Sequence, residues 1–191
     1  MRKGTEMKKF FAAVAVVMFV MLVTLVAPRY AFAERNEKTA DVTDLIDARQ
    51  VDVYVEGTVM GELVLGSRGV LTLIYVDQKL SQSIASDGSL EHWVRTMGQY
   101  FGTDATRGKA VFIAHLDAFK PWDFDPTKIF VGGYHVQKDD VLSPSATNPF
   151  GQLASKSEGV FAFAVPASEV KVGKEIQLGY GDDAITWKVP K

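Results

Sequence analysis

Apolar residues recur at every second position in several segments of this 191-residue chain. Val51, Val53 and Val55 alternate with more polar neighbours, which is the pattern of a strand buried on one face. Residues 70–76 are apolar on both faces, and this composition favours a central strand that is covered on both sides. These patterns predict a mainly β chain, because only a strand places alternate side chains on one face.

Strand patterns continue along the chain, and one helical pattern interrupts them. Leu90, Trp93, Val94 and Met97 recur at three- and four-residue intervals, which predicts a short amphipathic helix over residues 89–102. About eight strands with one helix predict an immunoglobulin-like β-sandwich in which the helix closes one edge or one end. The other predicted strands cover residues 58–65, 109–116, 128–136, 159–165, 174–180 and 184–189.

The first 33 residues have the organisation of an export signal. Basic residues precede an apolar or neutral run at 10–27, and Ala31-Phe32-Ala33 has the small-x-small pattern that a signal peptidase accepts. Cleavage after Ala33 would make Glu34 the new N-terminus. The run is longer than the usual ~7 to 15 residues of a signal and approaches the ~17 to 25 of a spanning helix. An uncleaved anchor helix is therefore the alternative.

These features divide the chain into three parts. Residues 1–33 are the signal or anchor, residues 34–49 are a tether, and residues 50–191 are the β-sandwich domain. The domain is expected outside the cytoplasm, either as a periplasmic or extracellular protein or held at the membrane by an uncleaved N-terminal segment. No other contact with a membrane is expected.

Charge and cysteine content exclude several classes of function for the exported part. Residues 1–33 hold five of the 21 basic residues and one of the 23 acidic ones, which leaves a formal net charge of −6 on residues 34–191. Such a domain repels phosphate backbones, so no nucleic-acid partner is expected. The chain has no cysteine, which excludes disulfides, thiol nucleophiles and cysteine metal sites.

Known catalytic patterns are missing from the sequence. No Gly-x-Ser-x-Gly motif marks a serine nucleophile, and the segment from Gly102 to Ala110 has the wrong spacing for a phosphate-binding loop. His92, His115 and His135 lie on a predicted helix and two separate predicted strands, with no two at metal-ligand spacing. His115 is therefore interpreted as a partly buried residue with ordinary hydrogen-bonding partners.

Two large aromatic residues lie in a proline-flanked loop and form the predicted binding site. Trp122 and Phe124 occur between Lys120 and Thr127, where an exposed ring could stack on a sugar or anchor a protein partner. The alternative is a loop plug that covers the end of the sandwich, since large aromatic side chains are mostly buried.

Aspartates surround this loop and the next predicted turn. Asp123, Asp125, Asp139 and Asp140 would suit a calcium ion if their carboxylates converged, because calcium prefers oxygen ligands. Their spacing does not match a known calcium loop. Aspartates at strand ends also form turns by accepting bonds from nearby backbone N–H groups, and the spacing favours this interpretation over a calcium site. No other cofactor is expected.

Two functions from different classes follow. The first is an exported, non-catalytic domain that binds a protein or a cell-envelope polymer through the loops at 122–127 and 139–152. The second is a secreted hydrolase of polysaccharides that uses a pair of carboxylates, with Asp117, Asp123 and Asp125 as the available acids. The sequence favours the first.

Overall fold

The computed structural model describes residues 42–61, 63–144 and 148–191. The predicted signal or anchor at 1–33 and the first part of the tether lie outside these residues. Within them, no helix is both long enough and apolar enough to cross a membrane.

The described residues are mainly β, as predicted, and their strands form open antiparallel sheets. Short 3-10 turns connect several of the strands. In chain order the strands are β1 (Gln50–Val55), β2 (Thr58–Met60), β3 (Leu63–Leu65), β4 (Gly69–Val76), β5 (Lys109–Ala118), β6 (Trp122–Phe124), β7 (Ile129–Val131), β8 (Tyr134–His135), β9 (Gly151–Leu153), β10 (Glu158–Pro166), β11 (Glu175–Tyr180) and β12 (Asp183–Lys188).

Two four-stranded sheets make up most of the domain. The first sheet has the order β1-β4-β5-β10 and the second has the order β12-β11-β7-β8, with every neighbouring pair antiparallel. Two further pairs, β2-β3 and β6-β9, form small separate sheets. The long β4, β5 and β10 follow the predicted strands closely, because their apolar runs leave few alternatives.

One apolar cluster, the central core, takes side chains from both four-stranded sheets. Leu71 and Phe112 come from the first sheet, while Ile129 and Leu178 come from the second, and none of the four is measurably exposed. Alternation along β10 sends Phe161 and Phe163 into this core. Both sheets therefore bury one face against the same set of side chains.

Three short helices cover part of the other face of the first sheet. They are α1 (residues 42–47), α2 (Gln78–Ser86) and α3 (His92–Gly98). Leu80 and Ile84 of α2 pack with Ile74 and Val111 of the sheet in a second cluster, the helix-side core. The sequence predicted one helix closing an edge or an end of the sandwich, but the helices lie on a sheet face because the side chains on that face are apolar.

Two predicted strands are hairpins. Residues 58–65 turn at Gly61 and residues 128–136 turn at Gly132, both glycines having a positive φ that other residues adopt with strain. The N-terminal boundary also differs from the expected one. Leu45 of α1 is buried in the helix-side core, so α1 packs with the sheet although the sequence assigned these residues to the tether.

Candidate functional site

Trp122 and Phe124, the predicted binding aromatics, are core residues. They are 3% and 1% exposed, and both rings pack against Tyr180, with centroid distances of 5.3 Å in each case. Pairing of β6 with β9 turns both rings inward and leaves Asp123 between them on the surface. The expectation that these rings are exposed anchors is therefore wrong, and the plug alternative describes them.

The four aspartates proposed for calcium act separately. Asp125 accepts bonds from the N–H and hydroxyl of Thr127, at 3.0 and 2.8 Å, and Asp140 accepts from the N–H of Gln137 at 2.9 Å. Asp123 and Asp139 are exposed. Among the described residues these four do not form a metal-binding group, so the geometry gives calcium at this set no support and fits the turn interpretation. The carboxylates of Asp125 and Asp140, which are partly and fully buried, instead accept hydrogen bonds that stabilise backbone turns.

The loops that carry these residues nevertheless meet. Between them lies a groove of about 550 Å³, which we call the loop groove. It joins the two segments that the sequence predicted as binding loops, although Trp122 does not contribute to its walls. The residues that give the groove its chemistry are Asp123, Asp125, Lys138, Ser143, Asn148 and Phe150.

One wall of the loop groove is a small polar network fixed to the first sheet. The Ser143 hydroxyl donates to the side-chain oxygen of Asn148 at 2.6 Å, and the Asn148 amide donates to the Ser143 carbonyl at 3.3 Å. The backbone N–H of Ala162 in β10 donates to the Ser143 hydroxyl at 3.4 Å. These bonds hold the wall in position, since each group has a partner on a different segment.

An aromatic side chain borders the same groove. Phe150 is 37% exposed and packs edge-on against Phe161, with ring centroids 5.2 Å apart. One side of the Phe150 ring is therefore fixed by the core while another part remains in solvent. A partly exposed, immobilised ring of this kind supplies contact area at a small loss of conformational entropy.

The carboxylate of Asp125 is in its charged form at neutral pH. Hydrogen bonds from the backbone N–H and then the hydroxyl of Thr127 lower the pKa of Asp125, and the nearby ammonium group of Lys138 adds to this. A general acid needs a raised pKa, so this environment is unfavourable for proton donation by Asp125. The groove instead presents the negative charge of Asp125 together with the ammonium group of Lys138.

A second polar group lies next to α3, on the face of the first sheet that the helices partly cover, which we call the outer face. Donor atoms of His115, Asp117 and Glu158, which we call the His115 cluster, all lie within 4.8 Å of one another. The Nδ1 atom of His115 is 3.6 Å from a carboxylate oxygen of Asp117. Trp93 of α3 stacks on the imidazole with a centroid distance of 5.0 Å. His115 is half-buried, as the sequence indicated, but its surroundings were not predicted.

The cluster had one visible signal in the sequence. His115 and Asp117 are two residues apart on a predicted strand, so their side chains had to share a face. The third member was not predictable in this way, because it depends on β10 lying next to β5. In that pairing Glu158 is directly opposite Asp117.

Comparison with protein-family models, with curated proteins and with solved structures finds no match for this chain.

Proposed function

We propose that this chain is an exported, non-catalytic binding domain whose loop groove holds a cell-envelope polymer or an extended segment of a protein. The observation that carries the proposal is the meeting of the two predicted binding loops at one groove. Ligand sites are typically concave, with apolar walls and a small number of fixed polar groups. The loop groove has this composition.

The chemistry of the groove favours a saccharide polymer. Carboxylates such as Asp123 and the amide of Asn148 can exchange hydrogen bonds with sugar hydroxyls, while the Phe150 ring offers a face or edge to the sugar. Lys138 adds one positive charge for an acidic group on the ligand. A protein segment would use the same donors and acceptors with its backbone.

Export is part of the proposal and is supported by the N-terminal pattern. The basic residues, the apolar run and the Ala31-Phe32-Ala33 site are typical of a chain that leaves the cytoplasm. The absence of cysteine is compatible with either the periplasm or the extracellular space. A domain in either place meets cell-envelope polymers directly.

We also infer that the two four-stranded sheets form a sandwich of the immunoglobulin-like type. Their shared central core supports this assignment, and the layer of helices on the first sheet would be an addition to such a sandwich. In that class the connecting loops at the ends of the sandwich are the usual binding surfaces. The loop groove is built from connecting segments of this kind.

The alternative of a carboxylate-dependent hydrolase gains no support from the groove. Asp125 is committed to a turn and has a lowered pKa, and Asp117 belongs to the His115 cluster instead of lining the groove. A glycoside hydrolase needs two acids on opposite sides of the scissile bond, one of them with a raised pKa. The non-catalytic assignment therefore fits the described residues better.

Co-sedimentation with an insoluble cell-wall polymer tests the proposal. We expect the full chain, purified in mild detergent, to sediment with the polymer, and Asp123→Asn and Phe150→Ala to weaken this binding. Phe119→Ala is the matched control, because Phe119 is 50% exposed but does not line the groove. Thermal midpoints should show that Asp123→Asn is folded, since this carboxylate is on the surface.

Two results would contradict the proposal. Binding that is unchanged in both groove variants would move the site elsewhere on the surface. Release of soluble sugar fragments from the polymer by the wild-type chain would show that the protein is an enzyme.

A further inference from the structure

We propose that the His115 cluster is a binding site for one divalent transition-metal ion, with zinc the best match to its ligands. This site lies on the outer face of the first sheet and is independent of the loop groove. His115 and Asp117 come from β5, and Glu158 comes from the adjacent β10.

The pairing of two strands brings the three ligands together. His115 and Asp117 are on one face of β5, and the register places Glu158 directly opposite Asp117. Their donor atoms are within 4.8 Å of one another, while ligands of a tetrahedral zinc ion each lie about 2.0 to 2.2 Å from the metal. Closing that gap requires rotation of the Asp117 and Glu158 side chains, while the strand pairing holds the backbone positions.

The charge of the cluster matches that of a divalent cation. Among the described residues neither Asp117 nor Glu158 pairs with a lysine or arginine, so two carboxylates share the site with one imidazole. A bound M²⁺ ion would neutralise both. Asp52 of β1 lies opposite Thr72, which in turn lies opposite His115. The Asp52 carboxylate is not counted as a ligand, because it already accepts hydrogen bonds from Thr72 at 2.7 Å and Gln50 at 3.3 Å.

The ligand types select the metal. A nitrogen donor with two carboxylate oxygens suits zinc and neighbouring transition metals, whereas calcium and magnesium prefer oxygen ligands alone. The side chains of His115 and Asp117 are 21% and 35% exposed, and Glu158 is at the surface. Water therefore has access to the position opposite the protein ligands, as in zinc sites with three protein ligands and one open position.

Trp93 positions the imidazole. Its ring lies nearly parallel to that of His115, with 13° between the planes, and its indole N–H donates to the carboxylate of Glu91. Stacking restricts rotation of the imidazole and so reduces the conformational entropy lost when the ion binds. Trp93 is thus a positioning residue that would not itself touch the metal.

Metal titration of the full chain in mild detergent tests the proposal. The protein is first stripped with a chelator and then titrated with Zn²⁺ in competition with a chromogenic chelator. Cobalt is used separately, since its visible spectrum reports nitrogen and oxygen ligands. We expect one ion per chain and a loss of affinity of about 10- to 100-fold or more in His115→Gln and Glu158→Gln, since even outer-shell changes have that effect.

Matched controls separate this site from weak surface binding. His135→Gln and Glu175→Gln replace an exposed histidine and an exposed glutamate outside the cluster, and both should bind as the wild type does. Unchanged affinity in Glu158→Gln, or no binding by the wild type at submillimolar zinc, would overturn the proposal. Glu158 is exposed, so its variant remains informative if His115→Gln fails to fold.

Discussion

Arg49 is the most deeply buried charged residue in the described part of the chain. Its guanidinium is 3% exposed, donates to the carbonyl of Leu45 at 3.1 Å and pairs with Asp77 at 2.7 Å. Asp77 is also the N-cap of α2, where it accepts from the N–H of Leu80 at 2.8 Å. One carboxylate therefore neutralises a buried charge and begins a helix.

Removal of this carboxylate gives a strong stability prediction. We expect Asp77→Ala to lower the free energy of unfolding by about 3 to 5 kcal/mol, because it leaves Arg49 buried without a counter-ion. Urea unfolding followed by circular dichroism measures the change. Asp87→Ala is the control, since the Asp87 carboxylate accepts hydrogen bonds from the nearby Ser89, and its loss should cost no more than about 1 kcal/mol. Equal effects in both variants would contradict this role of Asp77.

The ion pair between Arg49 and Asp77 also makes the free energy of unfolding depend on pH. Burial would raise the pKa of Asp77, but hydrogen bonds from Arg49 and from the N–H of Leu80 outweigh it and lower the pKa. A lowered pKa in the folded state means that the stabilisation is present above the ordinary aspartate pKa of about 3.9 and is lost as pH falls through the lower value. The difference between wild type and Asp77→Ala should therefore be full at pH 7 and shrink below about pH 4.

Residue identity alone did not reveal which aromatics are exposed. Trp122 and Phe124 lie in a segment whose prolines and aspartates indicate a loop, yet three residues of it pair with β9 and become a strand. Strand alternation then directs both rings inward. This pairing joins segments almost 30 residues apart, and no local pattern in the sequence specifies it.

At the scale of single elements, β11 requires a glycine at its penultimate position. Gly179 lies between β7 and β12, and a Cβ there would overlap the ring of Phe130 and the carbonyl oxygen of Asp183. We expect Gly179→Ala to lower the free energy of unfolding by about 1 to 3 kcal/mol or more, measured by urea unfolding.

Gly133→Ala is the matched control for Gly179→Ala. A Cβ at Gly133 would have only an ordinary contact of 3.6 Å with the Glu169 carboxylate. Its effect should stay within about 0.5 kcal/mol. If Gly179→Ala were equally mild, the second sheet would be loose enough to separate Phe130 from β11.

The predictable elements were those with long, unambiguous patterns. Residues 70–76, 109–116 and 159–165 are strands within two residues of the predicted ends, because their apolar runs far exceed what a loop can expose. The helix α2 was missed. Only Leu80 and Ile84 of its residues are buried, and one apolar pair four residues apart is too short a signal for a helix.

The two candidate sites, the loop groove and the His115 cluster, could be predicted from the sequence only where a local pattern marks their residues. The sequence named the loops at 122–127 and 139–152 as binding loops, and described residues from both line the loop groove. The side chains that line the groove and those that form the His115 cluster depend on which strands pair. That information is not local, so the sequence pattern could not supply it.

At the scale of the whole molecule, the proposed export signal would determine whether the domain is released from the membrane. We expect N-terminal sequencing of the exported form to begin at Glu34. Ala33→Arg should prevent cleavage, because the peptidase accepts only small residues there, whereas Phe32→Leu should be cleaved normally. Wild-type protein that keeps its original N-terminus in the membrane fraction would contradict cleavage and favour the anchor.

The position of β10 has a consequence for the order of folding. β10 contributes Phe161, Phe163 and Val165 to the central core and Ala164 to the helix-side core, and its register with β5 joins residues 41 to 57 positions apart. Pairings over such distances form slowly, because the intervening chain loses entropy before the contacts stabilise it. An N-terminal fragment that ends before residue 158 lacks the β10 side chains and therefore cannot complete the central core. The domain therefore reaches its native state only when nearly the whole chain is present.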